Sequence, residues 1–518
     1  MSKYLKQIII PLEDGKTETI DLMTPADLDG IRFNIDKHLQ NVTNGLNHIP
    51  AGGHEKQILV WDEDGKAKWD SLSNVSPGLL EERFAYGVEW DVNVASPILT
   101  RIGNPLLHKS LPVQSAYKGC VAQKDKIMYW LDPDDWSKKA NGEDAVLDGT
   151  DGTVRVRTPK FYGKSEIDGD KRRVRISMIK IDDTWTEIPE MLVDAYRSTV
   201  SKTPPAEGFL STLPANSAVS VVNTTANCRG GGDRSANDTY LNTNPYRSDL
   251  GKPRTNAKRS IMRTWARNAG SEMLSYEQYK WIFYWAYVIE YANFNCQATY
   301  NEELTADGYR QSGLGDGVTT WDVTNWNNYN RMHPLTPCGF GNDLGNHTGI
   351  KDLVIPETVV SGTTVASKTF KMPRWRGFDN PFGDAWTNLD GIIIDADANN
   401  HPDNMNYVYT TDDPAKYGDT VADMAKMRLA GLDVHETGFV KLFDLGTTGE
   451  IIPKVMGGST TTYKCDYHWA GNRDTTLRTL AIGGNAADSG YAGLSDFLPG
   501  LNITWANADL GFRTVNVL

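Results

Sequence analysis

The chain has 518 residues, with Lys+Arg 53 against Asp+Glu 66 and a formal charge of −13. That acidic balance argues against nucleic-acid binding as the main activity, because phosphate recognition wants a basic face, and no stretch approaches the ~20 apolar residues of a membrane span. With 39% hydrophobic and 23% charged residues the chain is globular; its length suits about three domains, or one large domain with appendages. The apolar run Ile8-Ile9-Ile10 is too short for a signal h-region, which points to synthesis and release in a cytoplasm. Cys120, Cys228, Cys296, Cys338 and Cys465 form no CxxC, which excludes a zinc ribbon or a thioredoxin motif. Their odd number and wide spacing predict reduced, buried thiols. The 15 Trp, 22 Tyr and 47 Gly suit a loop-rich fold with aromatic surfaces.

Residues 1–24 hold a predicted β-hairpin: Ile8, Ile9 and Ile10 form one arm, Asp14-Gly15 turns, and Thr17-Glu18-Thr19-Ile20 returns. Thr24-Pro25-Ala26-Asp27 then reads as a helix start, with Pro at the first helical position. The following helix, within residues 25–50, carries a heptad seam of Leu28, Ile35, Leu39, Val42 and Leu46, which Arg32 interrupts. Such a short seam serves either as a coiled coil or as an amphipathic helix packed on a domain. Residues 51–76 predict a second hairpin, Ile58-Leu59-Val60-Trp61 and Lys66-Ala67-Lys68-Trp69 around Asp64-Gly65. Helix, Gly-rich break and Trp hairpin together resemble the short trimerising collars of bacteriophage tail fibres. The resemblance implies virion attachment through the N-terminus to other phage tail proteins and a homotrimer, with a dimer as the alternative.

Residues 77–518 read as one large α+β domain without internal repeats. Its longest helical signal runs from Ser275 to Asn301, with Trp281, Ile282, Trp285, Val288, Ile289 and Tyr291 covering most of the cylinder, so the helix is expected to be buried. Short strands are predicted at 154–157, 174–176, 392–394 and 439–442, separated by long Asn-, Gly-, Thr- and Trp-rich loops. Several segments carry a family likeness: Tyr86-Gly87-Val88-Glu89-Trp90-Asp91, Thr100-Arg101-Ile102-Gly103-Asn104, Leu111-Pro112-Val113-Gln114-Ser115, Arg229-Gly230-Gly231-Gly232, Gly251-Lys252-Pro253-Arg254-Thr255-Asn256, Tyr309-Arg310-Gln311-Ser312-Gly313, Arg374-Trp375-Arg376-Gly377-Phe378 and Cys465-Asp466-Tyr467-His468. In combination they resemble phage-borne variable proteins of diversity-generating retroelements. The resemblance implies an irregular C-type-lectin-like domain of the formylglycine-generating-enzyme type, displayed at the tip of a tail fibre. Asn380 to Gly391 resembles that fold's Asn-x-x-Gly-Asn-Val-Trp-Glu-Trp element, with Asp384 and Asn388 departing from it. Gly511-Phe512-Arg513 resembles its closing triplet, which implies a buried aromatic and an arginine paired with a core acid.

The segment 485–510, NAADSGYAGLSDFLPGLNITWANADL, contains none of the chain's 29 Lys, 20 Glu, 8 Gln and 13 Met residues. Codons ending in a pyrimidine cannot encode these four types, and retroelement mutagenesis at the adenines of AAY codons produces that bias. A Gly/Asn/Ser-rich loop would also exclude long side chains. In this candidate variable region Tyr491, Phe497 and Trp505 offer rigid aromatic area, while Asn485, Asp488, Ser495, Asp496, Asn502, Asn507 and Asp509 offer short polar contacts. Trp505 has the codon TGG, outside the pyrimidine-ended set, and is either ligand surface or fixed scaffold. An aromatic beside Asp and Asn can stack on a sugar or grip a protein loop, so the host ligand is read as a cell-surface glycan or protein.

Enzyme readings carry less. Formylglycine generation needs two reactive cysteines near the C-terminal end, where only Cys465 lies. Asp395-Ala-Asp397-Ala-Asn399 starts like a calcium loop but has Asn400 for the sixth-position Gly and Asn406 for the twelfth-position Glu, so an EF-hand is rejected while a looser calcium site stays open. Gly313-Leu-Gly315-Asp-Gly317 is a loop rather than a nucleotide cradle. Cys465, Asp466 and His468 could form a nucleophile group, but structural packing explains them more simply. The expected protein is therefore a non-enzymatic receptor-binding protein of the virion, on the phage tail, without cofactor, nucleic acid or membrane insertion. A tail-borne glycan depolymerase and a purely structural tail protein are the alternatives.

Overall fold

Alternation decides the strands. In Lys171–Ser177, Val174 and Ile176 are fully buried while Arg173 and Arg175 stay partly exposed; in Met405–Thr410, Asn406, Val408 and Thr410 are buried while Tyr407 and Tyr409 are not. A computed structural model of the chain describes the strands Gln7–Pro11, Thr17–Asp21, Gln57–Trp61 and Ala67–Ser71, and residues 76–518 except 225–227, 229–249, 322–334, 356, 361–362 and 402. The first two strands pair antiparallel with Ile8 opposite Ile20, and the next two with Leu59 opposite Trp69, as the hairpin patterns predict. The heptad seam from Leu28 to Leu46 and the motif Arg229-Gly230-Gly231-Gly232 lie outside the described residues.

The described chain is mostly β with few helices, consistent with an α+β or β-rich class. A five-stranded sheet has the order Thr186–Ile188, Phe161–Asp168, Lys171–Ser177, Ala85–Asp91, Thr100–Gly103. A six-stranded sheet has the order Glu272–Met273, Thr514–Val517, Met191–Asp194, Thr153–Thr158, Lys118–Gln123, Lys126–Trp130. The C-terminal sheet has ten strands, along which Ile392–Asp395, Arg478–Ile482, Phe497–Asn502, Tyr467–His468, Gly438–Leu445 and Ile451–Met456 are successive neighbours. The last strand of the chain, Thr514–Val517, is an inner strand of the six-stranded sheet, so the end of the candidate variable region is stitched into the frame.

A helix over 276–291 is the hub. Ser275 and Gln278 cap it reciprocally, and every residue from Trp281 to Tyr291 is buried. One apolar cluster joins this helix to Tyr86, Val88 and Val174 of the first sheet, Val154, Val156 and Met191 of the second, and Ile392, Phe443, Leu480 and Phe497 of the third. Lys280–Trp285 forms a π turn, at which the fully buried Lys280 pairs with Glu277 and, at 2.7 Å, with Glu450.

Two expectations are corrected. The helix stops at Tyr291 rather than Asn301, because Ala292 takes a left-handed φ of 48° and the Asn293 carboxamide oxygen accepts the Asn295 N–H, turning the chain away. Phe512 is fully buried as the closing triplet implies, but Arg513 donates to the backbone carbonyls of Asp194, Asp379 and Asn380; it makes no direct ion pair with an acid among the described residues. The 380–391 turn does build core: Gly383 has φ 74°, Trp386 is buried, and Asp384 and Asp390 hold Arg197 at 2.9 Å and Arg263 at 2.6 Å.

Candidate functional site

In an antiparallel pair the residues directly opposite one another bring their side chains together. Phe439 lies opposite Tyr467, and their rings meet edge-on at 4.9 Å. His468 turns inward, so the alternation of an extended chain leaves Trp469 on the same side as Tyr467, with the two ring centroids 4.6 Å apart. Tyr491 completes the group from a 3-10 turn, Ser489–Tyr491: its ring is 4.4 Å from Tyr467, 5.5 Å from Phe439 and 5.6 Å from Trp469. Tyr467 is thus the centre of a four-ring patch. Tyr491 is 41% exposed and the other three rings are half-buried.

The turn that carries Tyr491 is pinned from below. The Asp488 carboxylate accepts the Asn485 N–H at 2.6 Å, the Ser489 N–H donates to the Thr319 carbonyl, and the Gln297 amide donates to the carbonyls of Ser489 and Ala492. Gly493 passes over Asp466 so closely that a Cβ would lie 1.9 Å from Oδ1, so any other residue would have to displace this buried carboxylate. Beneath the rings lies a buried polar layer. Lys464 Nζ donates to the Ser495 carbonyl at 3.0 Å and to its hydroxyl, while Asp466 accepts the Ser495 N–H at 3.0 Å. Burial pushes the Asp466 carboxyl up and the Lys464 ammonium down, so both move towards their neutral forms. Burial, reinforced by Asp488 and Asp466, also holds the Asp496 carboxyl well above the usual range, and the Trp469 indole faces it. Asp488, chiefly through burial and then through Asp509, is pushed up to about 7.

The ten residues predicted to form one ligand surface do not do so. Tyr491 and Trp505 are exposed, at 41% and 46%, but they sit towards opposite ends of the strand Phe497–Asn502, which spans roughly 17 Å. Phe497 is a correction: it is fully buried, stacked near His468 and edge-on to Tyr276 in the central core. Ser495 and Asp496 are fully buried in the polar layer, and Asn485 and Asp509 are buried and bonded to each other at 2.8 Å. Asp488, Asn502 and Asn507 are partly buried; Asn502 Oδ1 holds Thr504, and the Asn507 carbonyl accepts the Asn256 N–H. The segment is therefore mostly frame, with short exposed parts around 489–491 and 504–506.

No family model, curated protein or solved structure matches the chain. The site's chemistry must then be read from its own side chains, and it is the chemistry of contact: ring faces, ring edges and phenol hydroxyls. Cys465 and His468 do not cooperate. His468 is held by the Asp433 carboxylate at 3.0 Å and the Glu436 carbonyl, while Cys465 lies against the Thr462 and Tyr463 carbonyls with its thiol pushed up to about 12 by burial. Among the described residues no group of three or more His, Cys, Asp or Glu converges as a metal site. In the Asp395 loop, Asp395 binds His401 at 3.0 Å and Asp397 caps the turn through Asn399. Sequence reasoning missed Phe439, Tyr467 and Trp469. The alternation Tyr467-His468-Trp469, next to a predicted strand containing Phe439, was the signal that could have found them.

Proposed function

We propose that this chain is a bacteriophage tail-fibre receptor-binding protein that recognises a host cell-surface ligand with the Phe439–Tyr467–Trp469–Tyr491 patch. The observation that carries the reading is the four-ring patch itself. A folded chain normally buries such rings, whereas Tyr and Trp left at the surface on rigid elements are what binding hot spots are made of. The reading includes a C-type-lectin-like frame, supported by the buried Phe512, by the 380–391 turn around Gly383 and Trp386, and by the final strand closing the fold. It also includes attachment to the virion through the N-terminal hairpins. Diversification by a retroelement would then be useful only where side chains reach solvent, around 489–491 and 504–506, and harmful at Ser495, Asp496 and Phe497.

The test is adsorption. The purified chain should bind host cells and compete with phage, and Tyr491→Ala should lose that competition while keeping its melt. Codon changes among sister isolates should cluster in the exposed positions. Competition by Tyr491→Ala equal to that of the parent would reject the patch as the receptor surface.

A further inference from the structure

A concavity lies two residues further along the strand that carries Phe439. It encloses about 290 Å³ where the strand Ala85–Asp91 of the five-stranded sheet meets Gly438–Leu445 of the C-terminal sheet. That volume is at the low end for small-molecule sites, and junctions between sheets are where such sites tend to form. Its floor includes the partly exposed Trp90, which rests on the buried rings of Phe443 at 5.3 Å and Phe294, edge-on, at 5.1 Å. Its walls are polar and of both signs. Glu89 and Asp91 come from one side, with Lys171 on the neighbouring strand, and Lys441 and Tyr463 come from the other.

The backbone is bent to make these walls. Lys441 is the extra residue of a β-bulge, since Val440 pairs with Met456 and Leu442 with Val455, and its ammonium lies 5.4 Å from the centre of the Tyr463 ring. Tyr463 itself has a φ of 58°, and its N–H is fixed by the Ala95 carbonyl at 2.6 Å. Lys171 is bonded to Glu89 at 2.7 Å, as is Arg173 at 2.6 Å, which keeps Glu89 ionised. Among the described residues, neither Asp91 nor Lys441 has an ion-pair partner; the Asp91 carboxylate takes only the Asn93 N–H at 2.8 Å.

We propose that this cleft binds one neutral hexopyranose unit of a glycan. Glu89 and Asp91 balance Lys171 and Lys441, so the lining offers a singly charged ligand no net attraction to offset the loss of its hydration. Hydroxyl groups both donate and accept, and they satisfy the two kinds of wall at once. The C–H face of the ring covers the apolar floor. The cleft shares none of the four patch rings, and its lining lies wholly outside 485–510.

The experiment is saturation-transfer NMR and titration of the full-length chain with the methyl glycosides of glucose, galactose, mannose and N-acetylglucosamine. A ligand of this size in a shallow cleft should bind with a constant on the order of millimolar. Asp91→Ala and Lys441→Ala, on opposite walls, should each weaken it about tenfold or more, whereas Tyr491→Ala should leave it unchanged. Both cleft variants change rim residues, and unchanged thermal melts separate lost binding from lost folding. Three results would overturn the proposal: no saturable binding of any of the four glycosides, saturable binding that both cleft variants leave intact, or tighter binding of glucuronate or glucosamine than of the neutral glycosides.

Discussion

Tyr491 and Phe497 share a segment but not an environment. Phe497 is fully buried against Tyr276 and His468, so Phe497→Ala leaves a cavity in the central core and should cost about 3–5 kcal/mol. Tyr491→Ala removes an exposed ring from the top of the patch and should cost well under ~1 kcal/mol. Parallel thermal melts and cell-binding assays of the two variants check this. The expected pattern is a low melt for the first and a normal melt without binding for the second. Asp488 gives a pH signature. Its carboxyl is raised from 3.8 to about 7 in the fold, so the folded state holds that proton more tightly than the unfolded chain does. The stabilisation is complete below the unfolded pKa and is lost as pH rises through the folded one, by about 4 kcal/mol as an upper bound. Asp488→Asn keeps an acceptor for the Asn485 N–H and cannot ionise. Its stability should therefore fall less than the parent's between pH 5 and 8, measured by denaturant melts across that range. Equal slopes would mean that Asp488 is solvated in the folded protein.

At the scale of elements, one close approach of backbone to backbone holds the patch in place. Gly471 and Gly500 face each other so closely that a Cβ on Gly471 would lie 2.4 Å from the Gly500 Cα, and one on Gly500 would lie 2.6 Å from the Gly471 Cα. This contact lets the 469–472 run lie along Phe497–Asn502, where the Trp469 N–H donates to the Phe497 carbonyl at 2.9 Å. Either glycine changed to Ala must push backbone from backbone, with a cost of at least ~1–3 kcal/mol. The shift should reach Trp469 and be visible as a changed near-ultraviolet dichroism as well as a lower melt; an unchanged spectrum would show that the strand gives way elsewhere. The same elements show what the sequence could reveal. Strands such as Lys171–Ser177 and Gly438–Leu445 were legible because alternation of side chains is local, and both N-terminal hairpins because Asp-Gly turns are. The burial of Phe497 was not legible. It depends on parallel pairing of Phe497 with His468 and on the arrival of Tyr276 from more than 200 residues away in the chain, neither of which leaves a mark in the segment's composition. The π turn at Lys280 was hidden for the same reason, since Lys280 pairs with the distant Glu450, and beside its local turn bonds the stop at Ala292 also draws on a distant segment, its carbonyl accepting the Leu99 N–H while Asn293 bridges to Ile98.

At the scale of the whole molecule, stability and assembly should separate. Among the described residues the central apolar cluster draws on positions from Tyr86 to Val515. The terminal strand Thr514–Val517 closes a sheet whose other strands all begin at Lys118 or later. A chain beginning at Ser76 therefore carries its own core and should melt close to the full-length head. Trimerisation, by contrast, is expected from the heptad seam Leu28, Ile35, Leu39, Val42 and Leu46 together with the Trp hairpin. That seam is under three heptads, too short to hold three chains alone, so the hairpin Gln57–Trp61 and Ala67–Ser71 has to add buried area on the same axis. Sedimentation equilibrium of the full chain should give about three times the 57.5 kDa protomer at micromolar concentration, and the chain from Ser76 should give a monomer with an unchanged melt. Replacing Leu39 and Val42 by Asp should reproduce the monomer in the full-length protein. A full-length monomer would remove the collar from the account, and a trimer that survives loss of residues 1–75 would move the assembly surface into the head.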